Sequence, residues 1–328
     1  MKNTFNHLLV IEDIHCSEHQ ALARAVAFAE KKHSAITVFK SYYKQMHTIG
    51  TELPDDMADF VMQQQQEICQ HISALTDQDV SLNIVISWLE PVKYAVRRLI
   101  EQSNISLVLK AHSKRHVFDL FNGNLDHFLM NDLEVPVWLV KPQSQQPELN
   151  VLACLDLDQA DAAHQALNDK ILQTGQQLVP ALQSSLQVVN CCGGESVSVR
   201  IDYDADTGFK QVVSPEQQNR EKLLPYLKKN HLSLDCSQVR VGLPDDEIPR
   251  AVEEFQAHLT IIGNQHLRSK LSLLWLNTAH YLARHIPCDV LVVKLPGIQA
   301  RTSIAKSPLR MLQSKHLLSR LSGMLTHK

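Results

Sequence analysis

Two aspartates stand at equivalent points of a repeated pattern, and each could hold a polar ligand. Asp13 ends the apolar run "HLLVIED", and Asp156 ends the run "NVLACLD". An aspartate at the carboxyl end of a parallel strand can accept hydrogen bonds from a ligand at the switch point of the sheet. It can equally accept hydrogen bonds from the next turn of its own chain. The sequence leaves both roles open.

One loop suggests anion chemistry. The stretch "LTIIGNQHLRSKLSLLWLNTAHYLARHIPCDVLVVK", residues 259–294, predicts a buried strand, a loop, a helix and a second buried strand. Such a loop cradles a phosphate when several glycines let backbone N–H groups approach it at a helix N-terminus. This loop has a single glycine, Gly263, and Leu276 puts a branched apolar side chain near the helix start. We therefore expect no tight phosphate binding there.

These positions lie in a chain that alternates apolar strands with helices. Strands rich in Val, Ile and Leu that are separated by helices of ten or more residues imply βαβ crossovers and a parallel sheet. The pattern predicts an α/β protein of two tandem doubly wound domains, each with a five-stranded parallel sheet. Ser17 is the expected cap of the first helix, and residues 191–213 are expected to be irregular.

An internal duplication organises the chain. A shift of 153 positions sets residues 259–294 over 106–141 without a gap, so that Lys294 falls on Lys141, His280 on His127 and Asn277 on Asn124. Self-similarity of this kind marks repeated structural units. We predict a first domain at 1–145, a second at 146–297 and a C-terminal tail at 298–328.

Length, composition and charge exclude several classes of protein. The 328 residues, 44% hydrophobic and 20% charged, suit a globular protein of two domains. A net charge of -3 gives no general attraction to nucleic acid or anionic lipid. Neither an export signal nor a transmembrane run of about 18 apolar residues is evident. Seven scattered cysteines suit a reducing cytoplasm.

Several stretches together resemble a known family. They are "LVLKAHSKRHVFDLF", "PVWLVK", "GLPDDEIP", "IIGNQH", "LNTA" and "CDVLVVK". On these stretches the chain, from about residue 5 to 297, resembles the tandem-domain universal stress proteins of the E type. The resemblance implies a Rossmann-like fold similar to the adenine nucleotide alpha hydrolases. It also implies a cytoplasmic, non-enzymatic stress-response protein without catalytic residues, in a family where some members bind ATP and others do not.

The resemblance also implies where a nucleotide would bind. ATP-binding members carry Gly, two residues, Gly, nine residues, then Gly and Ser or Thr. In the second domain these glycine positions fall on Gly263, His266 and Leu276, and in the first on Lys110, Ser113 and Gly123. Each domain keeps one glycine of three, so the resemblance implies degenerate loops with ATP as the only suggested cofactor. The candidate ligand residues are Asp13, Lys110, His112, Ser113, Gly123 and Asn124 in the first domain, and Asp156, Gly242, Gly263, Asn264, His266, Asn277 and Thr278 in the second.

Alternatives remain open at several of these places. Lys110, His112 and Ser113 could hold an anion through side chains or form a solvated basic loop. Gly242, in "GLPDDEIP", suits either a turn beside the ligand cleft or a purely structural turn. Apolar side chains at residues 273–276 favour a small apolar or amphipathic ligand over a phosphate. A weak ATP-binding protein or ATPase is the further alternative.

No metal or catalytic motif emerges. His15 with His19 and His112 with His116 have i,i+4 spacing, but nothing completes a tetrahedral ligand set. Cys191 and Cys192 are adjacent rather than in a CxxC pattern, and no GxSxG elbow is present. The tail beyond residue 300 carries six Lys or Arg and no acidic residue, which suits a solvated or docked helix, a lipid surface or an acidic partner. We expect an intramolecular pseudo-dimer of the two domains, in a monomer or a homodimer.

Overall fold

A computed structural model describes most of the chain. The described residues are 5–14, 18–43, 56–112, 125–142, 150–158, 161–193, 200–203, 210–264 and 272–295, and side chains are not described at 200–212 and 272–277. Residues Met1–Pro296 form one unit, and the tail from Gly297 lies outside the described residues. No helix in the described part has the length and apolar character needed to cross a membrane.

The first half contains five strands and four helices among its described residues. Its strands are mostly buried runs of β-branched and leucine residues, which fit a sheet covered on both faces. The elements are β1 (His7–Glu12), α1 (Gln20–Lys32), β2 (Ala35–Ser41), α2 (Met57–Leu75), β3 (Leu82–Ser87), α3 (Val92–Ser103), β4 (Leu107–Ala111), α4 (Leu125–Asp132) and β5 (Val137–Val140).

The second half repeats this order with one insertion. A two-stranded antiparallel hairpin follows its second strand. The elements are β6 (Val151–Leu155), α5 (Ala162–Leu182), β7 (Leu186–Cys192), β8 (Arg200–Tyr203), β9 (Lys210–Val213), α6 (Pro215–Lys229), β10 (Ser237–Val241), α7 (Pro244–Glu254), β11 (Leu259–Gly263), α8 (Ser272–His285) and β12 (Asp289–Val293).

The ten main strands form one sheet in the order β10-β7-β6-β11-β12-β5-β4-β1-β2-β3. Within each half all neighbouring strands run parallel, which confirms the predicted doubly wound fold. The two halves meet where β5 pairs antiparallel with β12, with Leu139 opposite Val290 and Trp138 opposite Leu291. The described chain therefore joins its two halves through their last strands.

Alternate side chains of each strand feed two separate core layers. In β1, Leu8 and Val10 pack with α1, while Leu9 and Ile11 face the opposite layer, which contains α3 and α4. All four are at most 5% exposed. Full burial of each such side chain contributes about 1.5–3 kcal/mol relative to exposure. This two-sided burial fixes the register of the strands, because a slip by one residue would exchange the layers.

Two details differ from the sequence-based expectation. The hairpin β8–β9 lies in the stretch expected to be irregular, where "RIDY" alternates polar and apolar residues and "KQVV" ends in two β-branched valines. The first helix begins at Gln20 rather than after Ser17, because His19 has a left-handed backbone conformation with φ 44°. Ser17 itself lies outside the described residues.

Candidate functional site

A cavity of about 70 Å³ lies at the carboxyl ends of β6, β7 and β11. Its inner wall is apolar and includes Ile171, Val189, Ile262 and Leu282, each at most 4% exposed. Among its polar lining residues, Asp156 and His164 keep 16% and 15% of their side-chain surface exposed. The cavity therefore combines an apolar interior with a polar opening.

The polar opening is organised around His164. Its Nδ1 contacts the Asp161 carboxylate, which also accepts hydrogen bonds from the backbone N–H groups of Ala163 and His164 and so caps α5. Its Nε2 lies 3.9 Å from Asp156 Oδ2, an ion-pair separation longer than a hydrogen bond. The imidazole is thus oriented by one carboxylate and faces a second one.

The position of Asp156 is fixed through its backbone. Asn168 is 2% exposed, and its Oδ1 accepts from Asp156 N–H at 3.1 Å while its Nδ2 donates to the Asp156 carbonyl at 2.6 Å. The N–H of Asp158 also donates to Asp156 Oδ1 at 3.0 Å, which forms a tight turn after β6. The aspartate therefore caps its own turn and lines the cavity at the same time.

Gly263 is required by packing. A Cβ atom added there would lie 2.5 Å from Leu167 Cδ2 and 2.8 Å from Leu167 Cγ, both closer than real carbon contacts. Leu167 belongs to α5 and lines the cavity. The glycine thus lets α5 pack tightly against the end of β11, which accounts for it without a phosphate.

Gly242 is also accounted for by local structure. Its φ of 154° is one that side-chain-bearing residues rarely adopt, and an added Cβ would lie 2.7 Å from Glu247 Cγ. Its N–H donates to the Cys192 carbonyl at 3.0 Å, and a Cβ on the neighbouring Gly193 would meet the Gly242 carbonyl oxygen at 2.3 Å. Pro244, two residues later, lines the cavity.

The first half places a buried ion pair in its corresponding cleft. Lys110 Nζ lies 2.9 Å from Asp126 Oδ1, and His112 Nδ1 lies 3.3 Å from Asp126 Oδ2. Burial opposes ionisation of Asp126, but the charge of Lys110 and the hydrogen bond from His112 prevail and lower its pKa to about 2. Lys110 and Asp126 are 5% and 7% exposed, so both charged side chains are buried.

Strand pairing corrects the register of the repeat in β4. Lys110 lies opposite Leu139 and Ala111 opposite Val140, whereas Ile262 lies opposite Val292 and Gly263 opposite Val293. Lys110 therefore corresponds to Ile262, and Ala111 corresponds to Gly263. The prediction that Lys110 occupies the first glycine position was wrong by one residue, because the gapless shift of 153 holds for β5 and β12 but not for β4 and β11.

Another candidate residue lies at the seam between the halves, where β5 pairs with β12. Asn264, 5% exposed, donates through Nδ2 to the Met130 carbonyl at 2.7 Å and to Asn131 Oδ1 at 2.9 Å. Both acceptors belong to α4 of the first half. The side chain of Asn264 therefore ties the end of β11 to the other half instead of facing the cavity.

Comparison with known proteins shows which proteins this chain resembles. Residues 151–294 match the model of the universal stress protein family. The chain is also 25% identical over 300 residues to universal stress protein E of Salmonella typhi. The matched region covers 88% of this chain and 94% of that protein. Residues 151–294 therefore match a universal stress protein domain, and the chain as a whole is similar to universal stress proteins of the E type. Universal stress protein E of Photorhabdus laumondii is 22% identical over 311 residues, 92% of this chain and 99% of its own.

Solved structures show the same fold. A universal stress protein from Archaeoglobus fulgidus matches with a TM-score of 0.63 and 15% identity. The match covers 90% of this chain and 99% of the length of that protein. A protein of unknown function from Pseudomonas aeruginosa matches 90% and 94%, with a TM-score of 0.67 and 18% identity. At these identities the likeness concerns the fold of a tandem universal stress protein.

The structure places the remaining candidate ligand residues only in part. Thr278 lines the cavity, and Asp13 directly follows β1 at the point that corresponds to Asp156. Asn277 belongs to α8, but its side chain is among those not described. The candidates outside the described residues are Ser113, Gly123, Asn124 and His266.

Sequence reasoning missed His164, Asn168 and Asp126. A signal for His164 was present, because "HQAL" occurs at residues 19–22 and again at 164–167. In the first half His19 contacts Glu12 at 2.6 Å, so both copies pair with a carboxylate near the cleft. Among the described residues no group of three or more His, Cys, Asp or Glu side chains could hold a metal ion.

Proposed function

We propose that this universal stress protein is a non-enzymatic, cytoplasmic stress-response protein that has lost tight ATP binding in both halves. The observation that carries the proposal is the buried Lys110–Asp126 pair, with Nζ and Oδ1 2.9 Å apart. By strand register and by the repeat, these two residues stand where Ile262 and Ala279 line the cavity of the second half. The matched family model and the similarity to universal stress proteins of the E type support the stress-response role.

In the first half, a nucleotide would have to displace this ion pair. Separating a buried pair leaves an uncompensated charge and costs about 3–5 kcal/mol. The lysine would then be available to a phosphate, but Asp126 would lose the main partner that offsets its burial and would be left beside an anionic ligand. A polyphosphate would therefore replace one ion pair of Lys110 with another, and the net gain in binding free energy would be small.

In the second half, the site offers little to a phosphate. The described lining carries the Asp156 carboxylate and no lysine or arginine. Leu167 packs directly against Gly263, and the side chain of Asn264 is hydrogen-bonded to the first half. Neither residue is therefore available to a phosphate. A cavity of about 70 Å³ is also far smaller than the roughly 300–1,000 Å³ of typical ligand pockets.

Thermal unfolding with and without Mg-ATP tests the proposal. A ligand at about 100 times its Kd stabilises the folded state by about 2.7 kcal/mol, which is readily seen as a rise in Tm. We expect no shift at millimolar Mg-ATP. A clear rise that the variant Asp156→Asn abolishes would overturn the proposal for the second half. Phosphate release no faster than that of the same variant would argue against a weak ATPase.

A second candidate function is binding of a small amphipathic or apolar ligand. The apolar wall of the cavity, with its polar opening, supports this function in the second half. Native mass spectrometry of the purified full chain tests it by searching for a co-purified small molecule. A matched variant, Ile171→Phe, fills the cavity and should remove any such species. Spectra that are identical for both proteins would contradict this function.

A further inference from the structure

Strand β3 has an open outer edge. It lies at one end of the ten-stranded sheet and, within the described part of the chain, pairs with β2 alone. The Ser87 carbonyl accepts from the N–H of Tyr42, directly after β2, at 2.7 Å, so the backbone of Ser87 points inward. Backbone groups alternate in direction along a strand, and the N–H and C=O groups of Ile84 and Ile86 therefore point outward. These groups can pair with a further strand.

The outer edge of β3 lacks the features that keep sheet edges apart. Native edges are usually short, bulged or protected by lysine and proline. β3 reads "LNIVIS", without charge or proline, and its central residues Ile84, Val85 and Ile86 are all β-branched. The opposite edge, β10, carries Arg240 and is followed by Gly242, whose φ is 154°. Of the two ends of the sheet, β3 is therefore the one suited to pairing.

The apolar side chains of β3 are incompletely covered. Ile84 and Ile86 pack against one core layer and Val85 against the other, but all three are only half-buried. By contrast β1, inside the sheet, is buried over all but its first residue. Leu89 and Tyr94, which follow β3, are 55% and 54% exposed. A strand added beside β3 would remove apolar surface from water, which favours association.

A second copy of the same strand fits this edge in one antiparallel register. Residues with outward backbone groups must lie opposite each other, and a twofold axis at Val85 sets Ile84 opposite Ile86 of the second copy. Each such pair exchanges two backbone hydrogen bonds. Asn83 then lies opposite Ser87 of the second copy, so polar residues face polar ones and no like charges meet. An axis at Ile84 would instead set Asn83 opposite Val85.

We infer that the full chain forms a homodimer in which β3 pairs antiparallel with β3 of a second copy, with the twofold axis at Val85. The chain already contains a joint of this kind, since β5 pairs antiparallel with β12 and sets Trp138 opposite Leu291. A twofold interface uses the same patch on both copies and therefore closes after two chains. The sheet then continues through both copies. This inference is independent of the proposed function.

Two double variants of the full chain test the inference. Asn83→Asp with Ser87→Asp places like charges opposite each other in this register, whereas Asn83→Asp with Ser87→Lys places opposite charges there. Asn83 is exposed and Ser87 is half-buried, so both variants should fold, which circular dichroism and Tm verify. Sedimentation velocity over a wide range of protein concentration gives the dissociation constant of each protein.

We expect the wild type to sediment at high concentration with twice the 37.1 kDa of one chain. The variant with like charges should raise the dissociation constant at least about tenfold, and the variant with opposite charges should return it to within about threefold of the wild type. A wild type that remains monomeric at every concentration, or a dimer that the like charges leave intact, would overturn the inference.

Disulfide trapping measures the register independently. Val85 faces Val85 of the second copy as a non-hydrogen-bonded pair, with Cα atoms about 4.5 Å apart, which is within disulfide range. Under mild oxidation Val85→Cys should form crosslinked dimers, whereas Asn83→Cys, opposite Ser87, should stay at the wild-type level set by the exposed Cys69. Equal crosslinking of the two variants would contradict the twofold axis at Val85 and with it the inferred dimer.

Discussion

His127 stacks on His280 across the seam between the halves, with ring centroids 4.6 Å apart and ring planes 16° apart. Asn131 Nδ2 lies 3.0 Å from the His127 ring nitrogens and 3.1 Å from His280 Nε2. The two histidines correspond by the 153-residue repeat, so the stack lies on the pseudo-twofold relation between the halves. This pair of rings therefore lies at the contact that joins the two halves.

Acid should weaken this seam. Burial, followed by the charges of His127 and Arg284, lowers the pKa of His280 from 6.5 to about 4. The unfolded chain then binds more protons than the folded one between these values, so stability is full above about pH 6.5 and falls as the pH approaches 4. After discounting for partial solvent exposure, we expect a loss of about 1–2 kcal/mol from this group.

Urea unfolding at about pH 7 and about pH 5 measures this loss. The variant His280→Asn removes the titrating group and should reduce the difference between the two pH values. The exposed His231 provides a control, because His231→Asn should leave the pH dependence of the wild type intact. An unchanged pH dependence in His280→Asn would be evidence against the buried histidine as its source.

Base should strengthen the same seam through Lys294. Its Nζ donates to the Leu129 and Leu133 carbonyls of the first half at 2.6 and 2.8 Å. Burial is the main cause that lowers its pKa from 10.5 to about 7, despite the nearby Asp132. Because the folded pKa lies below the unfolded one, the unfolded chain binds more protons above about pH 7, and stability rises with pH.

From about pH 7 to about pH 8.5 this lysine should add about 2 kcal/mol to the free energy of unfolding. The quantity to measure is the wild-type change minus the change in Lys294→Met, which cancels the contribution of the cysteine thiols. Lys31→Met, at an exposed position, is the matched control. Equal pH dependence in wild type and Lys294→Met would show that the amine stays charged in the folded state.

The repeat made parts of this seam predictable and left other parts hidden. Lys141 and Lys294 coincide in the sequence comparison, and each donates to carbonyl groups of the opposite half. The order of strands and helices also followed from apolar periodicity. The Lys110–Asp126 pair did not, because its partners lie 16 residues apart on a strand and a helix whose facing depends on register. A one-residue change of register in β4 is invisible to a gapless comparison.

The Lys110–Asp126 pair should be strongly coupled. Asp126→Ala leaves the buried Lys110 without its carboxylate and should destabilise the fold by about 3–5 kcal/mol. The double variant Lys110→Ile with Asp126→Ala copies the corresponding pair of the second half, Ile262 and Ala279, and should recover most of that loss. Chemical denaturation of both single variants and the double variant gives the coupling energy. Additive effects would mean that the two charges do not stabilise each other.

Gly263→Ala distinguishes a packing glycine from a phosphate-binding one. The new Cβ would meet Leu167, whose Cγ and Cδ2 lie within 2.8 Å of it. Overpacking of this kind costs about 1–3 kcal/mol, and the displaced leucine should move into the cavity that it lines. In the background of Leu167→Ala the same change should cost less than about 0.5 kcal/mol, because the two leucine atoms nearest to the new Cβ are gone and only Ile171 Cδ1, at 3.1 Å, has to shift slightly. Urea unfolding of the four proteins decides between the roles, since equal costs in both backgrounds would point away from Leu167 as the reason for the glycine.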